Sequence, residues 1–142
     1  MICVGSNKVL FAIIIAGILS QAIKTIINLV RGKQSFQLSD LIVTGGMPST
    51  HSALVSSLFA VLLFEQGFSA VTVAAFVLFL IVVTDSFGVR RTVGEEGKAI
   101  DKIIKKEHLK IVHKHFAKGH EPIEVLAGIA LGFFVAILLW FI

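Results

Sequence analysis

The chain has 142 residues, 56% of them hydrophobic and 15% charged, with a net charge of +4 and a mean hydropathy of +0.92. Soluble domains run roughly 45–50% apolar and about 25% charged, which sets aside a soluble globule, a disordered chain and a fibrous repeat and leaves an integral membrane protein. The length suits one membrane domain over 1–142, and the single cysteine, Cys3, cannot form an internal disulfide.

Crossing the hydrocarbon core takes about 20 mostly apolar residues. Four segments fit or approach that: 9–30, 48–64, 68–83 and 123–142. Each is predicted helical, because lipid leaves backbone polar groups no partner but each other. Lys8 and the apolar run to Leu19 resemble the n- and h-regions of a signal peptide, but helical character continues through Ile26, Ile27, Leu29 and Val30. After Arg31, Gly45-Gly46-Met47-Pro48 breaks one helix and restarts another, with Pro48 suited to a first helical turn. Glu65 to Gly67 is a tight turn. The stretch from Arg90 to Gly119 carries most of the charge. Within it Ile100, Ile103, Ile104 and Ile111 fall near helical spacing with lysines between them. That pattern predicts an amphipathic helix over about 95–118 on the membrane surface. The expected fold is all-α: a bundle of four transmembrane helices plus a basic interfacial helix.

Four spans alternate direction, so the end of the first, the start of the second, the end of the third and the start of the fourth share one membrane face. Arg31, His51, Asp85, Arg90, Arg91, His120 and Glu124 all fall there. So do 12 of the 13 Lys and Arg; among all 22 charged residues only Lys8 and Glu65 lie toward the other face. The positive-inside rule makes the shared face cytoplasmic and puts both termini outside.

Gln21, Lys24, Asn28 and Arg31 form one stripe on the first helix. A mid-helix lysine costs about 2.5–3.5 kcal/mol on insertion scales. Lys24 either snorkels to the interface or faces a polar site inside the bundle, and the stripe favours the second. On the last helix His120, Glu124, Gly128 and Gly132 recur every four residues. The two glycines make a small-xxx-small packing contact.

A carboxylate at Glu124, one turn from His120, can accept a ring N–H and leave the other nitrogen as nucleophile. His51 opens a helix within Pro48-Ser49-Thr50-His51-Ser52, where N–H groups and the dipole attract anions. Lys24, Arg31, Arg90 and Arg91 can then surround a phosphoryl group, whose transfer needs clustered positive charge. His108, His113 and His115 read as polar anchors of the basic helix. Zinc is disfavoured by the adjacent cations, although the ligand types are present. Nucleic acid is disfavoured because no aromatic interleaves the lysines, and an anionic lipid surface explains that charge more simply.

The blocks Thr44-Gly45-Gly46-Met47-Pro48-Ser49-Thr50-His51-Ser52-Ala53, Asp85-Ser86-Phe87-Gly88-Val89-Arg90-Arg91 and Gly119-His120-Glu121-Pro122-Ile123-Glu124-Val125 resemble the divergent branch of the phosphatidic acid phosphatase type 2 superfamily, also described as acid phosphatase/vanadium-dependent haloperoxidase-related proteins. The resemblance spans nearly the whole chain. The wider pattern is Lys-x6-Arg-Pro, then Pro-Ser-Gly-His, then Ser-Arg-x5-His-x3-Asp. Lys24 and Arg31 match the first spacing, with Gly32 for Pro. Pro48, Ser49 and His51 match the second, with Thr50 for Gly. His120 and Glu124 match the third, with Glu for Asp and Lys114 where the arginine is expected.

The resemblance implies a metal-independent, cofactor-free phosphatase acting on a lipid phosphate or diphosphate. His120 would attack phosphorus, Glu124 would orient it, and His51 would protonate the leaving oxygen and then activate water. Lys24, Arg31, Arg90, Arg91 and backbone N–H groups near Ser49 would bind phosphate, with Asp85 and Lys114 in support. Alternatives are a non-catalytic membrane protein that binds anionic lipid, or a small ion or proton transporter. The transporter needs a continuous polar path, toward which the middle spans offer little beyond Ser52, Ser56, Ser57 and Thr84. Haloperoxidase chemistry ranks last. The lipid-facing area of four short spans is compatible with a homo-oligomer.

Overall fold

The computed structural model describes residues 3–30, 46–107 and 121–142, apart from the side chains of 3–6, 89–91, 98, 101 and 105. These residues form helices α1 (Cys3–Val30), α2 (Thr50–Gln66), α3 (Ala70–Phe87), α4 (Val89–Lys106) and α5 (Pro122–Trp140), and among them there is no strand. Asn7–Val30, the stretch Ala70–Ile104 that contains α3, and Pro122–Trp140 are long and apolar enough to cross a membrane. At 17 residues α2 is about 25 Å long, a little short of a ~30 Å hydrocarbon core.

The buried surface gathers on α2, which touches α1, α3 and α5. Its interior face is Ser52, Ala53, Ser56, Ser57, Ala60, Val61 and Leu62. Lipid exerts no hydrophobic squeeze between helices, so close approach of small residues does that work. Buried hydroxyls need internal partners in such a setting. Ser56 Oγ donates to the Ser52 carbonyl, and Ser57 Oγ donates to the Leu54 carbonyl at 3.0 Å.

Pair contacts fix the directions. Lys8 Nζ meets Glu65 Oε1 at 3.5 Å, while Ser20 Oγ lies 2.9 Å from Thr50 Oγ1, so α1 and α2 are antiparallel. Thr72 Oγ1 donates to the Leu62 carbonyl, and Phe59 packs on Phe76 and Phe79, so α2 and α3 are antiparallel. Ser49 lies at Glu124 and Phe64 at Trp140, so α2 and α5 are parallel. A small apolar cluster of Ala12, Ala60, Val61 and Ala136 joins α1, α2 and α5.

The two charged residues placed by the sequence on the far face, Lys8 and Glu65, therefore pair with each other. The pair is partly exposed, so Lys8→Ala is expected to lower stability by less than about 1 kcal/mol, read as a small change in thermal unfolding in detergent.

Helix ends differ from expectation in several places: α1 starts at Cys3 instead of near 9, and Glu65 and Gln66, expected in a tight turn, close α2. Pro48 does not occupy the first turn of α2; Ser49 is the N-cap and Pro48 precedes it. The third helix runs on to Phe87 and takes in Asp85. The basic helix begins at Val89 instead of near 95, and the part of the expected 95–118 helix over 108–118 lies outside the described residues. Hydropathy marks where a span leaves the apolar core, but backbone pairing sets where a helix ends. Gly88, at φ −96° and ψ −91°, caps both helices: its N–H donates to Thr84 O at 2.9 Å and its carbonyl accepts from Thr92 N at 3.0 Å.

Candidate functional site

The site is built on the shared end of α1, α2, α3 and α5. On α1 the interior stripe is Ala12, Ala16, Ser20 and Lys24, at a strict spacing of four. Lys24 is only 8% exposed, so it does not snorkel out. Gln21 and Asn28 are half-buried beside that stripe. The aliphatic stem of Lys24 runs along Gly46, whose φ of +93° is the left-handed backbone that favours glycine. The Gly46-Met47-Pro48 segment thus brings the chain over Lys24 and into α2.

Ser49 is fully buried and engaged on every side. Its Oγ accepts from Ser52 N and from Ser52 Oγ at 3.0 Å. Its backbone N–H donates to the Glu124 carbonyl at 2.9 Å. Of the N–H groups near Ser49 expected to help bind an anion, that of Ser49 itself is therefore already engaged. Ser49 ties the Pro-Ser-Thr-His block to the first turn of α5.

That first turn carries a capping box. Glu121 N–H donates to Glu124 Oε2 at 3.2 Å, and the Glu121 side chain accepts from the Glu124 N–H. The Glu121 N–H belongs to the peptide joining it to His120. Glu124 thus caps the start of α5, a role that i, i+4 spacing alone did not suggest.

Below the capping box α5 lies almost directly on α2. A Cβ on Gly128 would strike the Ser49 carbonyl oxygen and stand 3.0 Å from Ser52 Cβ. A Cβ on Gly132 would stand 2.5 Å from Ala53 O and 2.6 Å from Ser56 Cβ. These two glycines let the Ser49–Glu124 hydrogen bond form.

His51 stands exposed in the first turn of α2. Asp85 is half-buried near the end of α3, and the antiparallel register through Phe59 and Phe76 puts it level with the start of α2. Lys24, Ser49, His51, Asp85 and Glu124 thus share one end of the bundle. Arg90 and Arg91 lie in the first turn of α4, one residue beyond α3. Their side chains, together with Arg31, Lys114 and His120, lie outside the described residues, as do His108, His113 and His115. Among the described residues no three His, Cys, Asp or Glu side chains gather as a metal site requires.

Sequence reasoning missed Ser20. It is fully buried, shares a hydrogen bond with Thr50, and donates to the Pro48 carbonyl at 3.4 Å. The four-residue spacing Ala12, Ala16, Ser20, Lys24 was the available signal, since small residues mark the face a neighbour approaches.

The divergent PAP2 family matches residues 5–135. The chain belongs to that family. The uncharacterized membrane protein YuiD of Bacillus subtilis (strain 168) is 31% identical to it over 150 residues, covering 94% of each chain. No solved structure matches the chain. The match to the divergent PAP2 family takes in both the Ser49 block and the Glu124 block, the two segments that the backbone hydrogen bond holds together.

Proposed function

We propose that this divergent PAP2 protein is a membrane-embedded, metal-independent phosphatase acting on a lipid phosphate or diphosphate through a phosphohistidine. The observation that carries this most is the Ser49 N–H to Glu124 carbonyl hydrogen bond, because it joins the His51 block to the turn that follows His120. Buried Lys24 at the same end adds a cation that the bilayer would otherwise disfavour.

In the first step the free ring nitrogen of His120 attacks phosphorus, forming a P–N bond as the P–O bond to the lipid breaks. His51 gives its proton to the departing oxygen. In the second step His51 takes a proton from water, the hydroxide oxygen bonds to phosphorus, and the P–N bond breaks to release phosphate. Lys24, Arg31, Arg90 and Arg91 stabilise charge on the equatorial oxygens. An interfacial site accommodates both a polar head and an acyl or prenyl tail. The charge asymmetry supports a cytoplasmic orientation for this face.

Phosphate release from a phosphatidic acid and a prenyl diphosphate by the purified protein, with chelator present, tests the proposal. Release from either supports it. Phosphate binding without turnover on both would instead favour the non-catalytic, anionic-lipid-binding alternative, which Lys114 in place of the wider superfamily's arginine makes the natural second reading.

Glu124 separates two roles. Glutamine can still accept the Glu121 N–H, so Glu124→Gln is expected to keep the helix cap and melt within about 0.5 kcal/mol of the parent, a margin below the cost of losing a cap. Its phosphate release is expected to fall about 10²-fold or more, because the carboxylate charge that orients His120 is gone. Unchanged release would show that Glu124 acts through the cap alone.

A further inference from the structure

We propose that α4 is seated on an anionic membrane surface, at the face of the bundle where α3 ends, with its isoleucine stripe at the acyl boundary. This rests on α4 itself and not on catalysis. The helix holds six Lys or Arg against three Asp or Glu in 18 residues. Val93, Ile100 and Ile103 are 48%, 44% and 57% exposed. Val93, Ile100 and Ile104 sit at offsets of 7 and 11, so they share one face, with Ile103 beside it.

Connectivity and charge identify what covers that stripe. Only Gly88 separates α4 from Phe87, the last residue of a membrane-crossing helix. The helix therefore starts where the chain leaves the hydrocarbon core, beside the boundary between acyl chains and headgroups. A helix that is apolar on one face and basic elsewhere lies in that boundary. A helix is about 10–12 Å across, so lysines on its far side, such as exposed Lys102 and Lys106, still stand roughly one Debye length from the headgroups. An anionic leaflet attracts each of them. Seating α4 in this way also fixes the height of its first turn, which carries Arg90 and Arg91.

The test uses the full chain with Cys3→Ser, reconstituted at high dilution into vesicles of phosphatidylcholine alone or mixed with phosphatidylglycerol. A fluorophore is placed through Ile100→Cys or, separately, Lys102→Cys, and quenched with acrylamide. The Ile100→Cys label is expected to be several-fold less quenched than the Lys102→Cys label, and the difference should grow with phosphatidylglycerol. Adding Lys102→Glu and Lys106→Glu to Ile100→Cys should lower the seating equilibrium several-fold, because each change removes an attraction to the anionic leaflet and adds a repulsion. Equal quenching of the two labels overturns the proposal. So does shielding that ignores phosphatidylglycerol. Shielding that rises with protein-to-lipid ratio, or disulfide cross-linking of unlabelled Ile100→Cys, would assign the stripe to a second copy and also overturn it.

Discussion

Phosphate release is expected to fall about 10⁴-fold or more in His120→Ala and about 10²- to 10⁴-fold in His51→Ala. The two losses should differ in kind. On the proposed mechanism no P–N bond forms without His120, so rapid acid-free quenching of a labelled substrate should recover no phosphoprotein. Without His51 the leaving oxygen lacks its proton and water lacks its base. A substrate with a good leaving group needs no such proton, so His51→Ala should form the phosphoprotein and then accumulate it. The parent should show a bell-shaped pH dependence, since one histidine must be neutral and the other protonated. The two apparent values would belong to the pair. Parent-level release from His120→Ala would remove the phosphohistidine from consideration.

Alanine at the α5 glycines should damage the bundle itself. A Cβ at position 132 would stand 2.5 Å from Ala53 O, 2.6 Å from Ser56 Cβ and 2.8 Å from Ser57 N. Two of those three atoms are backbone, so no rotamer change relieves the clash and α5 must move off α2. Overpacking of this sort costs about 1–3 kcal/mol. Gly128→Ala meets the Ser49 carbonyl group and Ser52 Cβ, so it should also stretch the Ser49 N–H to Glu124 bond. Both variants should unfold in detergent well below the parent, and Gly128→Ala should lose phosphate release even where it remains folded. Gly17→Ala is the control. Its new Cβ would stand 3.3 Å from Leu54 Cδ2, the end of a flexible side chain. It should cost little or gain slightly, because alanine favours helix over glycine by about 1 kcal/mol. Equal melting of all three variants would remove the α2–α5 contact as the feature that distinguishes them.

Much of the site's location was legible because lipid makes polar residues informative. In a chain with 15% charge, the placement of Lys24, His51, Asp85 and Glu124 at alternating helix ends already implies one shared face. The Lys8–Glu65 pair at the opposite end follows from the same alternation. Gly128 and Gly132 were legible as a packing contact because small residues at a spacing of four have few other uses on an apolar helix. Less was legible at Ser49. A serine before a helix start can be an N-cap, an anion donor or both, and only the neighbouring helix shows what its own N–H meets. The capping role of Glu124 was hidden for a similar reason. A carboxylate four residues after a histidine can serve the ring or cap the helix, and spacing does not choose.

The sequence by itself determined the class of protein, the number and order of its apolar helices, and the end of the bundle where its polar residues gather. Hydropathy and alternation are enough for that, because the bilayer imposes both. Only the tertiary structure decided that α2 and α5 lie backbone against backbone, that Lys24 turns inward along Gly46, and that the Ser49 N–H joins the two histidine blocks. Those outcomes depend on which helix faces meet, at what depth and in what register, and a one-dimensional pattern carries none of these until the helices have packed.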